Sequence, residues 1–312
     1  MSPETSTASH GLDYEALLAR CTFPPAGAPL TCAVSGGPDS LALMVLAVRS
    51  GCVVTAVHVD HGLRPGSAAE AEVVAEAARE LGAGFRAEQV RLSPGPNLEA
   101  RARAARRAVL PDDAATGHTM DDQAETVLVN LLRGSGVDGL AAMREGARHP
   151  LLGLRRSEAR AVCADMGLEP VSDPSNADPR FVRNRVRHEL LPLCCAIAGR
   201  DLVPVLARQA MVLAAEADLL DSLAGSVDPT SARSLAEAPA ILARRAVRRW
   251  LRAGGPHPPD LAAVDRVLAV ARGEAIATEV PPGVRVSRRA GRLSAGSVRT
   301  ASPVMSRGDG TA

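Results

Sequence analysis

The stretch Thr31–Met44, TCAVSGGPDSLALM, decides the fold. Its opening residues close an apolar run of strand length, and Ser35-Gly36-Gly37-Pro38-Asp39-Ser40 make a turn. An apolar helical pattern follows at once. This is the layout of a phosphate cradle. Gly36 and Gly37 permit positive φ and close backbone approach. Successive N–H groups in such a turn form an anion nest, and the following helix adds its positive end. The commoner P-loop places a lysine beside the phosphates, yet none of the 312 residues is lysine. Positive charge for an anion here must come from a metal ion or from arginines elsewhere. Asp39 and Ser40 suit a helix start, and Asp39 is also a Mg²⁺ ligand candidate. The plainer reading is an ordinary strand-to-helix turn.

Outward from this stretch, strand-like and helix-like runs alternate. Residues 29–34, 52–60 and 85–92 are runs of strand length, and 114–117 is a shorter one. Helical patterns fill 40–49, 67–81, 97–110 and 121–132. The rhythm predicts an α/β fold: a parallel sheet with helices on both faces and ligands bound beyond the carboxyl ends of its strands. A Pro- and Asp-rich segment, 169–181, breaks the pattern. The chain is then Ala/Leu-rich and helical to about residue 273. The expected organisation is a flexible N-terminus over 1–12, an α/β domain over 13–194, a small all-α domain over 195–275, and a hairpin about Ala290-Gly291 with a disordered tail over 276–312.

Composition narrows the class. All 36 cationic side chains are arginine and the net charge is +1, so a polyanionic partner must be met by a local patch. Aromatic residues make up only 2% of the chain, which leaves Ala, Val and Leu to build the core. The cysteines at 21, 32, 52, 163, 194 and 195 form no C-x-x-C, so neither a zinc ribbon nor a redox pair is indicated. No run is apolar enough to span a membrane and the first ten residues carry no signal pattern. The expectation is a cytoplasmic protein that makes no membrane contact.

Four further segments carry chemistry. In VHVDHGLRPGS, His58 and Arg64 follow a strand, where a base, ribose or phosphate contact is expected. His58 and His61 have no third ligand near them in sequence. In NLEARARAARR, Arg103 and Arg106 share one helix face, and a surface ion-pair helix is the plainer reading. The densest constellation is GHTMDDQAET. Gly117-His118 ends a strand, and Asp121, Asp122 and Glu125 stand near one helix start. Acidic residues cap helices, but three together are costly without a cation, for which Mg²⁺ and a substrate ammonium are the candidates. In DPRFVRNRVRHELLP, Arg183, Asn184, Arg185 and Arg187 make a basic helix start that suits phosphate. The run LARRAVRRWLR, 242–252, reads as an amphipathic helix with a cationic face, and Trp250 as core.

The SGGPDS string resembles the pyrophosphate loop of the N-type ATP pyrophosphatases. GHTMDDQAETVLVNLLRGSGVDGL, HVDHGLRPGS, NLEARARAAR and DPSNADPRFVRNRVRHELLP, in this order over about 29–193, resemble one branch of them, the tRNA(Ile)-lysidine synthase family. Where that pattern has an aromatic after Arg106, this chain has Arg107. The resemblance also leads to the expectation that the chain stops before the extra C-terminal domains of longer members. The resemblance implies a five-stranded, Rossmann-like sheet of the adenine nucleotide alpha hydrolase kind. It implies ATP and Mg²⁺ as cofactors, and tRNA(Ile) with a CAU anticodon and free L-lysine as partners; a homodimer is left open. The implied reaction activates C2 of the wobble cytidine with ATP and attaches lysine there, releasing pyrophosphate and AMP. On this reading Ser35, Gly36, Gly37, Pro38, Asp39, Ser40, His58, Arg64, Gly117 and His118 hold the nucleotide. Asp39 and Asp122 hold Mg²⁺. Asp39, Asp121, Asp122, Glu125, Arg103 and Arg187 serve catalysis, and Arg106, Arg183, Asn184 and Arg185 meet tRNA. The rivals are a tRNA 2-thiocytidine synthetase, which needs the absent C-x-x-C, and a non-catalytic nucleotide-binding module.

Overall fold

The structure, a computed structural model, describes residues 11–60, 67–90, 101, 105, 108–171, 178–252, 259–281 and 283–297. It divides into two compact units, Met1–Ala214 and Ala215–Ala312.

The first unit is built on parallel strands β1 (Pro29–Ala33), β2 (Val53–Asp60), β3 (Gly84–Gln89) and β4 (Ala115–Thr116), in the order β3-β2-β1-β4. The chain steps outward from β1 to β3 and then returns to the far side of β1. Strand order therefore reverses between β1 and β4, and that switch point is where an open α/β sheet leaves a crevice. Four strands occur in this sheet among the described residues, against the five that the resemblance implies.

Helices α1 (Tyr14–Leu18), α2 (Pro38–Arg49), α3 (Ser67–Glu80), α4 (Met120–Leu132) and α5 (Arg156–Asp165) cover the sheet. Gly37 caps α2 and Pro38 opens it, a position that needs no N–H and suits a fixed φ. Leu41 to Ala47 are all buried, so α2 is apolar around its whole circumference and lies inside the core. Ala159, Val162 and Cys163 of α5 belong to the same core. Each leucine buried there contributes about 1.5–3 kcal/mol.

Helix α6 (Val182–Ala198) contains a π-helical turn over Val186–Leu190. The cause is Pro192. It has no N–H for the His188 carbonyl, and its ring crowds that carbonyl. The Leu191 N–H reaches back to Val186 instead, and the extra residue is absorbed. Val186, Leu191 and Val203 pack with Ala124, Leu128 and Val129 of α4. This cluster ties the start of helix α7 (Val203–Ala224) to the first unit, which runs to Ala214.

The second unit holds α8 (Ala232–Glu237), α9 (Ala240–Arg252) and α10 (Leu261–Arg272). It also has an antiparallel sheet of β5 (Ala277–Val280), β6 (Val284–Arg289) and β7 (Arg292–Ser297). The β6–β7 hairpin turns at Ala290-Gly291, both at positive φ. The segment up to Arg272 is thus helical, and β5 adds a third strand to the hairpin that follows it. Val247, Val267, Val286 and Leu293 form its core, with Trp250 packed against it. On α9, Arg244 and Arg245 pair with Asp265 at 2.8 Å and Asp221 at 2.6 Å. Among the described residues no single helix is long and apolar enough to cross a membrane.

Candidate active site

The crevice at the switch point is a cleft of about 1120 Å³, large enough for a nucleotide. The Ser35–Ser40 turn forms one wall. Gly36 sits at φ +83° and its carbonyl accepts from the Val171 N–H at 2.9 Å. The Ser40 hydroxyl donates to the Gly37 carbonyl at 2.9 Å and accepts from the Ser35 N–H at 3.1 Å, so the loop is closed on itself before any ligand arrives. Gly117, after β4, lies against this turn. A Cβ there would stand 2.4 Å from the Asp39 carbonyl oxygen and 2.9 Å from the Ser40 nitrogen. Gly117→Ala must therefore push the loop off its position. We expect it to lower stability by about 1–3 kcal/mol, read by urea denaturation. Unchanged stability would show that the loop tolerates the shift.

The opposite wall is a cluster of ion pairs. Glu125 is fully buried, although it is ionisable. Its Oε1 accepts from Arg156 Nη1 at 3.0 Å and Arg187 Nε at 2.7 Å, and its Oε2 from Arg183 Nε at 3.1 Å and Arg187 Nη2 at 3.0 Å. Asp122 Oδ1 meets the same guanidiniums, at 2.9 Å (Arg156), 3.3 Å (Arg183) and 3.4 Å (Arg187). Asp122 Oδ2 accepts from the Thr119 N–H at 2.9 Å and hydroxyl at 2.8 Å. Asp121 stands apart: it binds Arg155 Nε at 3.1 Å and the Arg156 N–H at 2.9 Å. So only Asp122 and Glu125 share guanidinium partners, and these are Arg156, Arg183 and Arg187.

These contacts set the electrostatics. Burial disfavours the charged form of Asp122, but Arg156, the Thr119 N–H, His118 and Arg183 outweigh it and hold the carboxyl down at about 2. Asp39 is the reverse case. Burial and then the Asp122 charge push it up to about 6, against Arg156 and Arg187. Its Oδ1 is buried with no hydrogen-bond partner. Arg156 loses by burial but gains more from Asp122, Glu125 and Asp39, so its pKa is raised.

Comparison with known proteins decides between the readings of this cleft. The PP-loop domain family matches residues 14–194. The tRNA(Ile)-lysidine synthase of Nocardia farcinica is 42% identical over 87% of this chain and 93% of its own. That of Mycobacterium tuberculosis is 40% identical over 77% and 81%. The chain belongs to the tRNA(Ile)-lysidine synthase family. Among solved structures, the U34-tRNA thiolase NcsA from Methanococcus maripaludis with its 4Fe-4S cluster aligns at a TM-score of 0.51 and 15% identity. The alignment covers 64% of this chain and 77% of that one, and speaks for the fold alone.

Within this chain the expected residues divide. Ser35, Gly37, Pro38, Asp39, Ser40, Gly117, His118, Asp122 and Arg187 line the cleft, and Gly36 and Glu125 stand immediately behind it. Arg64, Arg103 and Arg106 lie outside the described residues, as do Glu99, His61 and Arg107. His58, expected as a nucleotide contact, is not among the residues that line the cleft. Strand alternation points Val57 and Val59 into the cleft and His58 to the other face. It is 2% exposed, and its Nδ1 donates to the Val34 carbonyl at 3.0 Å, which braces the strand just before the loop. Asn184 is buried and donates to the Asp178 carbonyl at 2.9 Å. Arg185 is exposed and pairs with Glu189 at 2.9 Å.

Arg155 and Arg156 were not singled out in the sequence. A signal existed. Arg155 is the N-cap of α5 and Arg156 its first residue, the end of a helix where the dipole disfavours cations. Two arginines there imply a strong local negative charge, which Asp121, Asp122 and Glu125 supply.

Proposed function

We propose that this chain attaches L-lysine to C2 of the wobble cytidine of a tRNA(Ile) bearing the CAU anticodon, consuming ATP and releasing AMP and pyrophosphate. The carrying observation is that one cleft joins the Ser35–Ser40 turn to the Asp122–Glu125 pair under Arg156, Arg183 and Arg187. The turn's N–H groups and the α2 dipole hold the pyrophosphate end of ATP. Arg156 and Arg187, at the cleft wall, offset charge on the α-phosphate as the cytidine is adenylated. Asp122 and Glu125 bind the side-chain ammonium of lysine. A carboxyl held near 2 is a poor proton acceptor at neutral pH, so Asp122 anchors the amine and does not deprotonate it.

A Mg²⁺ ion fits Asp39, whose buried Oδ1 has no partner. Mg²⁺ is commonly held by one or two carboxylates together with substrate phosphates. Asp122, the second ligand expected, has both oxygens engaged and contributes only if arginines yield. When bound, the ion neutralises the pyrophosphate. Arg183 and Arg185 on α6 suit the tRNA backbone, and Asn184 holds their helix start in place.

The test is incorporation of labelled lysine into a tRNA(Ile) transcript, with pyrophosphate release measured in parallel. Release should require tRNA. Release without tRNA would point to a small-molecule amidating enzyme, and nucleotide binding without turnover to a sensor.

A further inference from the structure

We propose that Arg156 makes lysine binding conditional on nucleotide: its guanidinium occupies the ammonium site until polyphosphate in the Ser35–Ser40 turn draws it away. The inference rests on the reading of Asp122 and Glu125 as the lysine site.

The acceptor count is the first argument. Glu125 receives four charged N–H donors, two on each oxygen. Asp122 receives two from Thr119 on one oxygen and guanidinium contacts on the other. Both carboxylates are saturated, and an ammonium needs up to three acceptors of its own. Lysine can enter only by replacing a guanidinium, charge for charge.

Geometry selects which one moves. Arg183 and Arg187 are one turn apart on α6 and hold Glu125 from the same side. Arg156 comes from α5 and, of these three, is the one that pairs with both walls of the cleft. Its Nη1 and Nη2 bind Glu125 and Asp122, while its Nε stands 3.5 Å from Asp39 Oδ2 on the turn. That Nε is buried and makes no hydrogen bond. A phosphate oxygen in the turn offers it a charged acceptor. Reorienting toward that acceptor withdraws Nη1 from Glu125 Oε1 and Nη2 from Asp122 Oδ1, and those two oxygens face the arriving ammonium.

Calorimetry on the full chain tests this. Wild type should bind L-lysine at least about tenfold more tightly with Mg²⁺ and α,β-methylene ATP present than without them, a coupling of ordinary size. By reciprocity, lysine should tighten the nucleotide analogue by the same factor. In Arg156→Gln the two lysine affinities should converge, because nucleotide-free binding rises. A merely structural arginine would weaken both and leave their ratio alone. Equal lysine affinity with and without nucleotide in wild type overturns the proposal, and needs no variant to fold. Nucleotide binding with no lysine binding under any condition, tRNA included, would instead sink the assignment of the lysine site and the proposal with it.

Discussion

Glu125→Gln is expected to destabilise the folded protein by about 3–5 kcal/mol, the usual cost of removing one partner from a buried ion pair. Glu125 has a side chain 1% exposed and holds Arg156, Arg183 and Arg187. The substitution leaves three guanidiniums around one remaining shared carboxylate, Asp122. The new amide aggravates this, since its NH₂ points donors at donors. Urea denaturation measures the loss. The catalytic consequence is separable. On the fraction that stays folded, the apparent KM for lysine should rise roughly 30-fold or more, the equivalent of losing a charge-paired hydrogen bond worth about 2 kcal/mol or more. ATP/pyrophosphate exchange should survive, because the nucleotide wall of the cleft is built by Ser35–Ser40 and Gly117. Loss of exchange with an unchanged lysine KM would move Glu125 into the adenylation step.

The two halves of this cleft were unequally visible in the sequence. The turn was legible because everything it needs is local: a strand, two glycines, a proline at the first helical position and a serine that closes the loop. All four sheet strands were legible as strand-length runs, and their alternation with helices carried the parallel topology. The carboxylate cluster was visible as a sequence of acids, but its counterions were not. Arg156 lies 34 residues from Asp122 and Arg187 lies 65, and nothing in a linear pattern says which arginine of 36 arrives there. His58 turns on a related point: its place at a strand end suggests a ligand contact, whereas the pleat directs its side chain away from the cleft, where its Nδ1 meets the Val34 carbonyl. The π-helical turn in α6 was readable in retrospect from Pro192 within an otherwise helical run.

Asp39→Asn is expected to do two opposite things: slow adenylation and stabilise the folded chain at neutral pH. The folded Asp39 carboxyl sits at about 6, against an ordinary 3.8. Between those values the folded state holds a proton that the unfolded chain has released. The Asp39 contribution to stability is therefore greatest below about pH 4 and falls as pH rises to about 6, by an amount on the order of 2–3 kcal/mol. Asparagine carries no charge to bury and none to repel Asp122, so the variant escapes this fall. Its melting temperature should exceed that of wild type at pH 8 and converge with it near pH 4. The Asp122 contribution runs the other way, because its carboxyl is lowered to about 2. That stability is present above 3.8 and lost as pH falls toward 2, equally in both proteins, so the difference between them isolates Asp39. Function moves against stability. The buried Oδ1 that has no partner is the oxygen a cation would use, and asparagine offers it a far weaker ligand. ATP/pyrophosphate exchange should drop at least about 10²-fold, the scale of losing one electrostatic element of a transition-state site. A variant less stable than wild type at pH 8 would mean that the attraction of Arg156 for Asp39 exceeds the combined effect of burial and Asp122, and the carboxylate would then be a structural ion-pair partner instead of a group held in readiness for metal.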